Sequence, residues 1–186
     1  MAIITIGGDV GAGKTTLASR LAKKLGYEEL YMGSLFRQIA AERGMTIEDF
    51  YGALKNDPEL EKSVDDRQTK LMREKDNLVV QGRMAWFFAK ESPFTVFNIF
   101  LGVDRMTGAK RTAERNENAG RSIEELIEAN ALRKQHELER YNTLYGVKNF
   151  LDHGHYEFTL DTSHLTEDEV LDTILKEINE RVEGDV

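Results

Sequence analysis

The chain has no cysteine among its 186 residues, which excludes a disulfide framework, a thiolate metal site and a cysteine nucleophile. It has no run of about 18 apolar residues, so no segment is suited to cross a membrane as a helix. It also lacks a surplus of positive charge. Its 33 acidic and 25 basic residues leave a formal net charge of -8, which argues against broad attraction to nucleic acid. No basic region precedes the first apolar run, residues 3–6, and glycines follow it at once, so this segment reads as a strand and not as a secretory leader. A cytoplasmic setting is expected. Internal repeats, low-complexity tracts and linkers are missing too. A hydrophobic content of 40% and a length of 186 residues suit a single domain, spanning residues 1–186.

What is present is an alternation. Strand-length apolar runs occupy residues 3–6, 78–80 and 96–101, with an alternating run at 156–160 and a weaker fifth candidate at 29–32. Helical patterns lie between them. Leu17, Leu21 and Leu25 recur every four residues beside Ala18 and Ala22, and Gly26 stands where that helix should end. Leu35, Ile39 and Ala40 mark a second helix, and charged helical segments follow at 46–54 and 58–73. Thr46 with Asp49, Ser122 with Glu125 and Thr166 with Glu169 have the spacing of helix caps. Ser122 opens a long polar helix towards Tyr145, and Val170, Ile174, Ile178 and Val182 form the apolar face of the last one. Strands alternating with helices predict an α/β fold, a five-stranded mostly parallel sheet covered on both faces.

Between the first strand and first helix lies Gly8-Asp9-Val10-Gly11-Ala12-Gly13-Lys14-Thr15. The spacing is that of a P-loop, glycine, four residues, Gly-Lys, then a hydroxyl residue. Glycines let successive amides turn towards one concavity, a nest for anionic oxygens, and the helix beginning near Lys14 adds the positive end of its dipole. Lys14 reaches the outer phosphates of a triphosphate, and the Thr15 hydroxyl suits magnesium.

Such a loop leaves the fate of the phosphate open. No guanine-reading Asn-Lys-x-Asp occurs, and no long apolar run ends in paired carboxylates, which disfavours a GTPase switch and a mechanical ATPase. Arginines are instead scattered through the helical segments. Moving a phosphoryl group between two polyanions requires cations on both, and the planar guanidinium holds phosphate oxygens bidentately. Arg37 lies one turn into the second helix and Arg83 directly follows the third strand, both at the carboxyl edge where open α/β sheets bind ligands. A solvated surface role is the competing account for each. Arg133 and Arg140 sit two helical turns apart with Glu137 on the same face, where pairing within the helix is the simpler alternative. Arg111, Arg115 and Arg121 flank a polar break at 116–120, which on its own composition reads as a solvated helical hairpin. Asp65 and Asp66 are candidate base or sugar contacts or a solvent-facing pair. Trp86, Phe87 and Phe88 are core residues or the wall of a base pocket, and His153-Gly154-His155 reads as a loop.

Gly33-Ser34-Leu35-Phe36-Arg37, Gln81-Gly82-Arg83 and Arg133-x-x-x-Glu137-x-x-Arg140-Tyr141 follow the P-loop in order, with Asp66-Arg67-Gln68, Leu144-Tyr145-Gly146 and Asp161-Thr162-Ser163. Together they resemble the cytidylate kinase family, particularly its shorter archaeal-type branch, over nearly the whole chain. The resemblance implies a three-layer α/β/α P-loop NTPase fold, with acceptor-binding helices over about 33–75 and a lid with its following long helix over about 105–145. It implies ATP with Mg2+ as donor and CMP or dCMP as acceptor, in a monomer with neither nucleic-acid nor membrane partners. The nucleotide would lie on Gly8, Asp9, Val10, Gly11, Ala12, Gly13, Lys14, Thr15 and Thr16, with Thr15 at the metal. Lys14, Arg115 and Arg133 would act on the transferring phosphate, and Gly33, Arg37, Gly82, Arg83, Glu137 and Arg140 would hold the acceptor.

Three positions depart from bacterial-type relatives. Met32 replaces a hydroxyl, Met84 replaces an acid in the manner of the archaeal branch, and Gln81 stands where an acid usually assists the metal. Another nucleoside monophosphate or small-metabolite kinase therefore stays open, as does a catalytically weakened nucleotide-binding regulatory protein.

Overall fold

A computed structural model of the chain describes residues 2–54, 57–115 and 118–184. Five strands form one sheet in the order β2-β3-β1-β4-β5, and every ladder between neighbours is parallel. They are β1 (Ala2–Gly8), β2 (Glu28–Tyr31), β3 (Leu78–Gln81), β4 (Thr95–Gly102) and β5 (Phe158–Asp161). The helices are α1 (Lys14–Leu25), α2 (Met32–Glu42), α3 (Ile47–Leu54), α4 (Pro58–Glu74), α5 (Ala85–Ala89), α6 (Arg105–Ala113), α7 (Ile123–Tyr145) and α8 (Glu167–Gly184).

The period-two geometry of strands divides the core into two layers. Ile4, Ile6, Val79, Ile99 and Leu101 face α1 and α8, where Leu17, Leu21 and Ile174 meet them. Ile3, Leu78, Val80 and Phe100 face the other way, onto Trp86, Met72, Phe150 and Tyr156. Sequence reading assigned Tyr156 to the last strand. It instead precedes β5, after a 3-10 turn at His153–His155, and packs its ring against the position of Gly7. Short edge strands β2 and β5 are the least buried, which is why β2 was the weakest in the sequence.

A third cluster joins α2, α3 and α4 through Leu35, Ile39, Phe50, Leu60 and Val64. It is separate from the sheet, so these helices form a lobe beside the carboxyl edge, tied by the Arg67–Glu42 ion pair at 2.6 Å. Local caps act as their spacing foretold. Ser122 and Glu125 form a reciprocal capping box on α7, and Thr166 and Glu169 exchange hydrogen bonds at the start of α8. Thr46 caps α3 by accepting from the Asp49 amide at 3.1 Å.

Candidate active site

The crevice lies between the carboxyl ends of β1 and β3. The helix after β1 packs on one face of the sheet and the helix after β3 on the other, which leaves a gap at that edge. The register sets Ile6 opposite Gln81, bringing the start of the P-loop beside the end of β3.

Two glycines are demanded by the loop's geometry. Gly11 has φ +84, and a Cβ there would lie 2.4 Å from the Gly108 carbonyl oxygen on α6; one at Gly8, φ +131, would lie 2.1 Å from that of Leu101. Both positions combine a left-handed backbone with a close approach of another chain segment. The loop is braced from behind by Thr162, 1% exposed, whose hydroxyl donates to the carbonyls of Ala12 (3.3 Å) and Gly102 (3.0 Å). Lys14 begins α1 and its Nζ donates to the carbonyls of Gly8, at 3.0 Å, and Asp9. Burial first, then the Arg83 charge, draws the Lys14 pKa down to about 7 against the pull of Asp9 and Glu137.

One cavity of about 600 Å³ extends from the loop. Val10, Gly11, Gly13, Lys14, Thr15 and Thr16 line its loop side. Gly33, Arg37, Gly82, Arg83, Arg115, Arg133, Glu137 and Arg140 line the remainder, so every arginine anticipated in the substrate roles shares this space. Gly8, Asp9 and Ala12 do not line it; Ala12 is 2% exposed and carries its amide within the loop. Gly33 and Gly82 owe their place to crowding, because a Cβ at Gly33 would meet the Tyr31 ring at 2.6 Å and one at Gly82 the Met32 side chain at 2.8 Å.

Electrostatically the centre is a carboxylate among cations. Glu137 Oε2 lies 2.9 Å from Arg83 Nε and its Oε1 accepts from Arg133 Nε at 3.0 Å. Both the helix-internal pairing and the convergence on the cavity are therefore present. Arg83 and Glu137 side chains are 15% and 13% exposed, whereas Arg133 is 60% exposed. The Arg83 N–H is not aimed along its contact, so buried Oε2 accepts no hydrogen bond among the described residues. Burial weakens the hold of Arg83 on its proton, and Glu137 opposes that effect. The same surroundings push the Tyr141 hydroxyl up to about 12.

Gln81 is 9% exposed, and its Oε1 accepts from the Thr15 hydroxyl at 3.4 Å. Two uncharged oxygens thus stand together where the start of α1 meets the end of β3. Among the described residues no group of three or more His, Asp or Glu is placed to hold a metal. A cation carried in on phosphate oxygens would be held by the Thr15 hydroxyl, and Gln81 would supply an acceptor for its water shell.

The three arginines around the polar break have different placements. Arg115 lines the cavity, whereas Arg121 lies outside its lining and donates to the Glu125 carbonyl. Arg111 is pinned to the loop's rear wall, donating to the Thr162 carbonyl at 2.7 Å and hydroxyl at 3.1 Å. Residues 116–117 of that break lie outside the described residues. The aromatic run divides: Trp86 is core, stacked on His155 at 3.8 Å, while Phe88 is buried yet lines the cavity. Asp65 lines it as well, and Asp66 does not. Sequence reasoning missed Thr162 as a brace, Gly108 as the loop's neighbour, and Gln68, Tyr31 and Phe36 in the lining. The Asp161-Thr162-Ser163 and Asp66-Arg67-Gln68 motifs contained two of these without disclosing their roles.

A P-loop, a paired hydroxyl and amide oxygen beside it, and an arginine-lined cavity at the edge of one parallel sheet define a P-loop kinase. Its solved neighbours share the architecture. An uncharacterized protein from Eubacterium ventriosum superposes with a TM-score of 0.72 at 21% identity, covering 96% of this chain and 99% of that one. Shikimate kinase from Bacteroides thetaiotaomicron gives 0.63 at 18% identity, covering 98% of each. In sequence, the model of the cytidylate kinase-like family matches residues 3–164. Cytidylate kinase from Thermococcus kodakarensis is 36% identical over 87% of this chain and 80% of its own length. That from Methanopyrus kandleri is 36% identical over 94% and 91%. The chain belongs to the cytidylate kinase-like family.

Proposed function

We propose that the chain transfers the γ-phosphoryl group of ATP, bound with Mg2+, to CMP or dCMP, giving ADP and the nucleoside diphosphate. The observation that carries this reading is the single cavity in which Lys14 and Thr15 face Arg37, Arg83, Arg133 and Arg140. Two polyanions brought into that space meet cations on both sides, and the P-loop amides and Lys14 hold the donor. Arg37 and Arg83 grip the acceptor phosphate, and Arg140 lies beside it. An acceptor oxygen then attacks the γ-phosphorus as the bond to the β-bridging oxygen breaks. Lys14, Arg133 and Arg115 offset the charge that moves onto the transferring group and the departing ADP. A magnesium ion would be held by the Thr15 hydroxyl, with Gln81 beside it, and would neutralise part of the same charge. No covalent enzyme intermediate is required, because alignment and charge neutralisation supply the catalysis.

In this reading residues 33–75 serve as acceptor-binding helices and 105–145 as the lid with its following long helix. The protein acts as a cytoplasmic monomer. A coupled ADP-release assay over the common nucleoside monophosphates tests the reaction, with CMP and dCMP expected as the preferred acceptors. Absence of turnover on cytidine nucleotides overturns the proposal. ATP binding without turnover on any acceptor favours the regulatory alternative, to which the uncharged Gln81 points.

A further inference from the structure

The wall contributed by α4 carries polar groups that no phosphate contact uses. Gln68 is 2% exposed and lines the cavity, yet its Nε2 donates to no acceptor among the described residues. A buried amide left unpaired costs ~1–3 kcal/mol. Its retention in a cavity wall points to a ligand that brings the acceptor. Asp65 stands one turn earlier on the same face of α4 and lines the cavity too. Its Oδ2 accepts from the Tyr145 hydroxyl of α7, which fixes the carboxyl and leaves the other oxygen to a second donor.

This end of the cavity is not the phosphate end. Asp65 and Phe88 also border a second cavity of about 810 Å³ between α4, α5 and α7, which no P-loop residue lines. Phe36, Met84 and Phe88 supply apolar surface for a flat ring in the first cavity.

We infer that Gln68 and Asp65 read the base of the acceptor nucleotide and select an aminopyrimidine over uracil. The assignment rests on the acceptor reading proposed above. Cytosine presents an exocyclic amino donor beside the N3 acceptor. The Asp65 carboxylate accepts from the amino group, and Gln68 Nε2 donates to N3. Uracil reverses both groups. Gln68 meets the uracil N3–H by turning over its amide, whereas ionised Asp65, already holding the Tyr145 proton donor, has no hydrogen for the 4-oxo group. Oxygen then faces oxygen with no hydrogen between them, and uracil is disfavoured.

The test measures kcat and KM for CMP, dCMP and UMP at saturating MgATP and pH 8, where Asp65, raised to about 7 by burial and by Asp66, is ionised. Gln68→Met is expected to raise KM for CMP ~10-fold, the loss of one hydrogen bond. Its KM for ATP stays unchanged, and its thermal midpoint does not fall, because the substitution removes an unpaired amide. Asp65→Asn is expected to reduce the CMP-over-UMP ratio of kcat/KM ~10-fold, since the new amide donates to uracil. Asp66→Asn, outside the cavity, leaves both quantities as they were. An unchanged KM for CMP in Gln68→Met together with an unchanged ratio in Asp65→Asn overturns the assignment, and either result alone removes that residue from it. Wild-type protein inert towards all three acceptors overturns the acceptor reading instead, and this assignment with it.

Discussion

Replacing Glu137 by Gln isolates the charge at the centre of the cavity while keeping its shape. This carboxylate is the partner of Arg83 at 2.9 Å and of Arg133 at 3.0 Å. The two contacts are not equal. Arg133 is 60% exposed, and an exposed pair four residues apart on a helix contributes only ~0.3–0.5 kcal/mol. Arg83 and Glu137 are 15% and 13% exposed, and removing one member of such a pair ordinarily costs ~3–5 kcal/mol by stranding the other. Two features reduce that figure: Oε2 accepts no hydrogen bond among the described residues, and the glutamine keeps one acceptor oxygen. A net loss of ~2–3 kcal/mol follows, or a fall in Tm of ~5–10 °C for a chain of this size. Phosphate oxygens can take the place of the lost carboxylate. Differential scanning fluorimetry with and without 20-fold excess sulfate over its half-saturating level, about an added 1.8 kcal/mol for the bound state, should therefore recover more Tm in Glu137→Gln than in wild type. A variant within 1 °C of wild type (about 0.3 kcal/mol) and equal sulfate responses would refute the idea that Glu137 compensates these arginines.

Arg83→Ala should abolish acceptor use while leaving ATP affinity within about threefold (~0.7 kcal/mol), as read by initial rates and by calorimetric ATP titration. Unchanged acceptor kinetics would end its assigned role. Gly11→Ala adds a Cβ against the Gly108 carbonyl at φ +84, so it should lower Tm and remove ATP binding together; a fully binding variant would contradict the loop geometry. Asp65 gives a pH signature. Its folded pKa, about 7, exceeds that of the unfolded chain, so the folded state binds the extra proton between pH 4 and 7 and wild-type stability falls across that window. The advantage of Asp65→Asn in chemical denaturation should grow from pH 4 to 7 and level off above, reaching at most ~4 kcal/mol and less because Tyr145 donates to the carboxylate. A difference independent of pH would show that Asp65 ionises normally.

The sheet was legible because its cues are local. Short apolar runs, leucines every fourth residue and the three hydroxyl–carboxylate caps each depend on neighbours along the chain, and the observed β1, β3, β4, α1 and α7 follow them closely. The P-loop was legible for the same reason, since a nest of consecutive amides is built from consecutive residues. Edge strands carry weaker patterns because one side lacks a neighbour. Short α5, hidden in an aromatic run, was not anticipated as a helix.

The phosphate loop and the alternating fold, then, were determined by the sequence itself. Tertiary structure decided the rest. Arg111 and Arg115 lie four apart on similar polar ground, yet one is spent on Thr162 and the loop wall while the other lines the cavity. Glu137 belongs as much to Arg83, far along the chain, as to its helix neighbour Arg133. Gln68 looks like any polar residue of a charged helix until the fold buries its amide with no partner for Nε2 among the described residues. Such relations depend on strand order and on where the α2–α4 lobe meets α7. No local propensity encodes those distances, because they are set only when elements remote in sequence exclude water from one another.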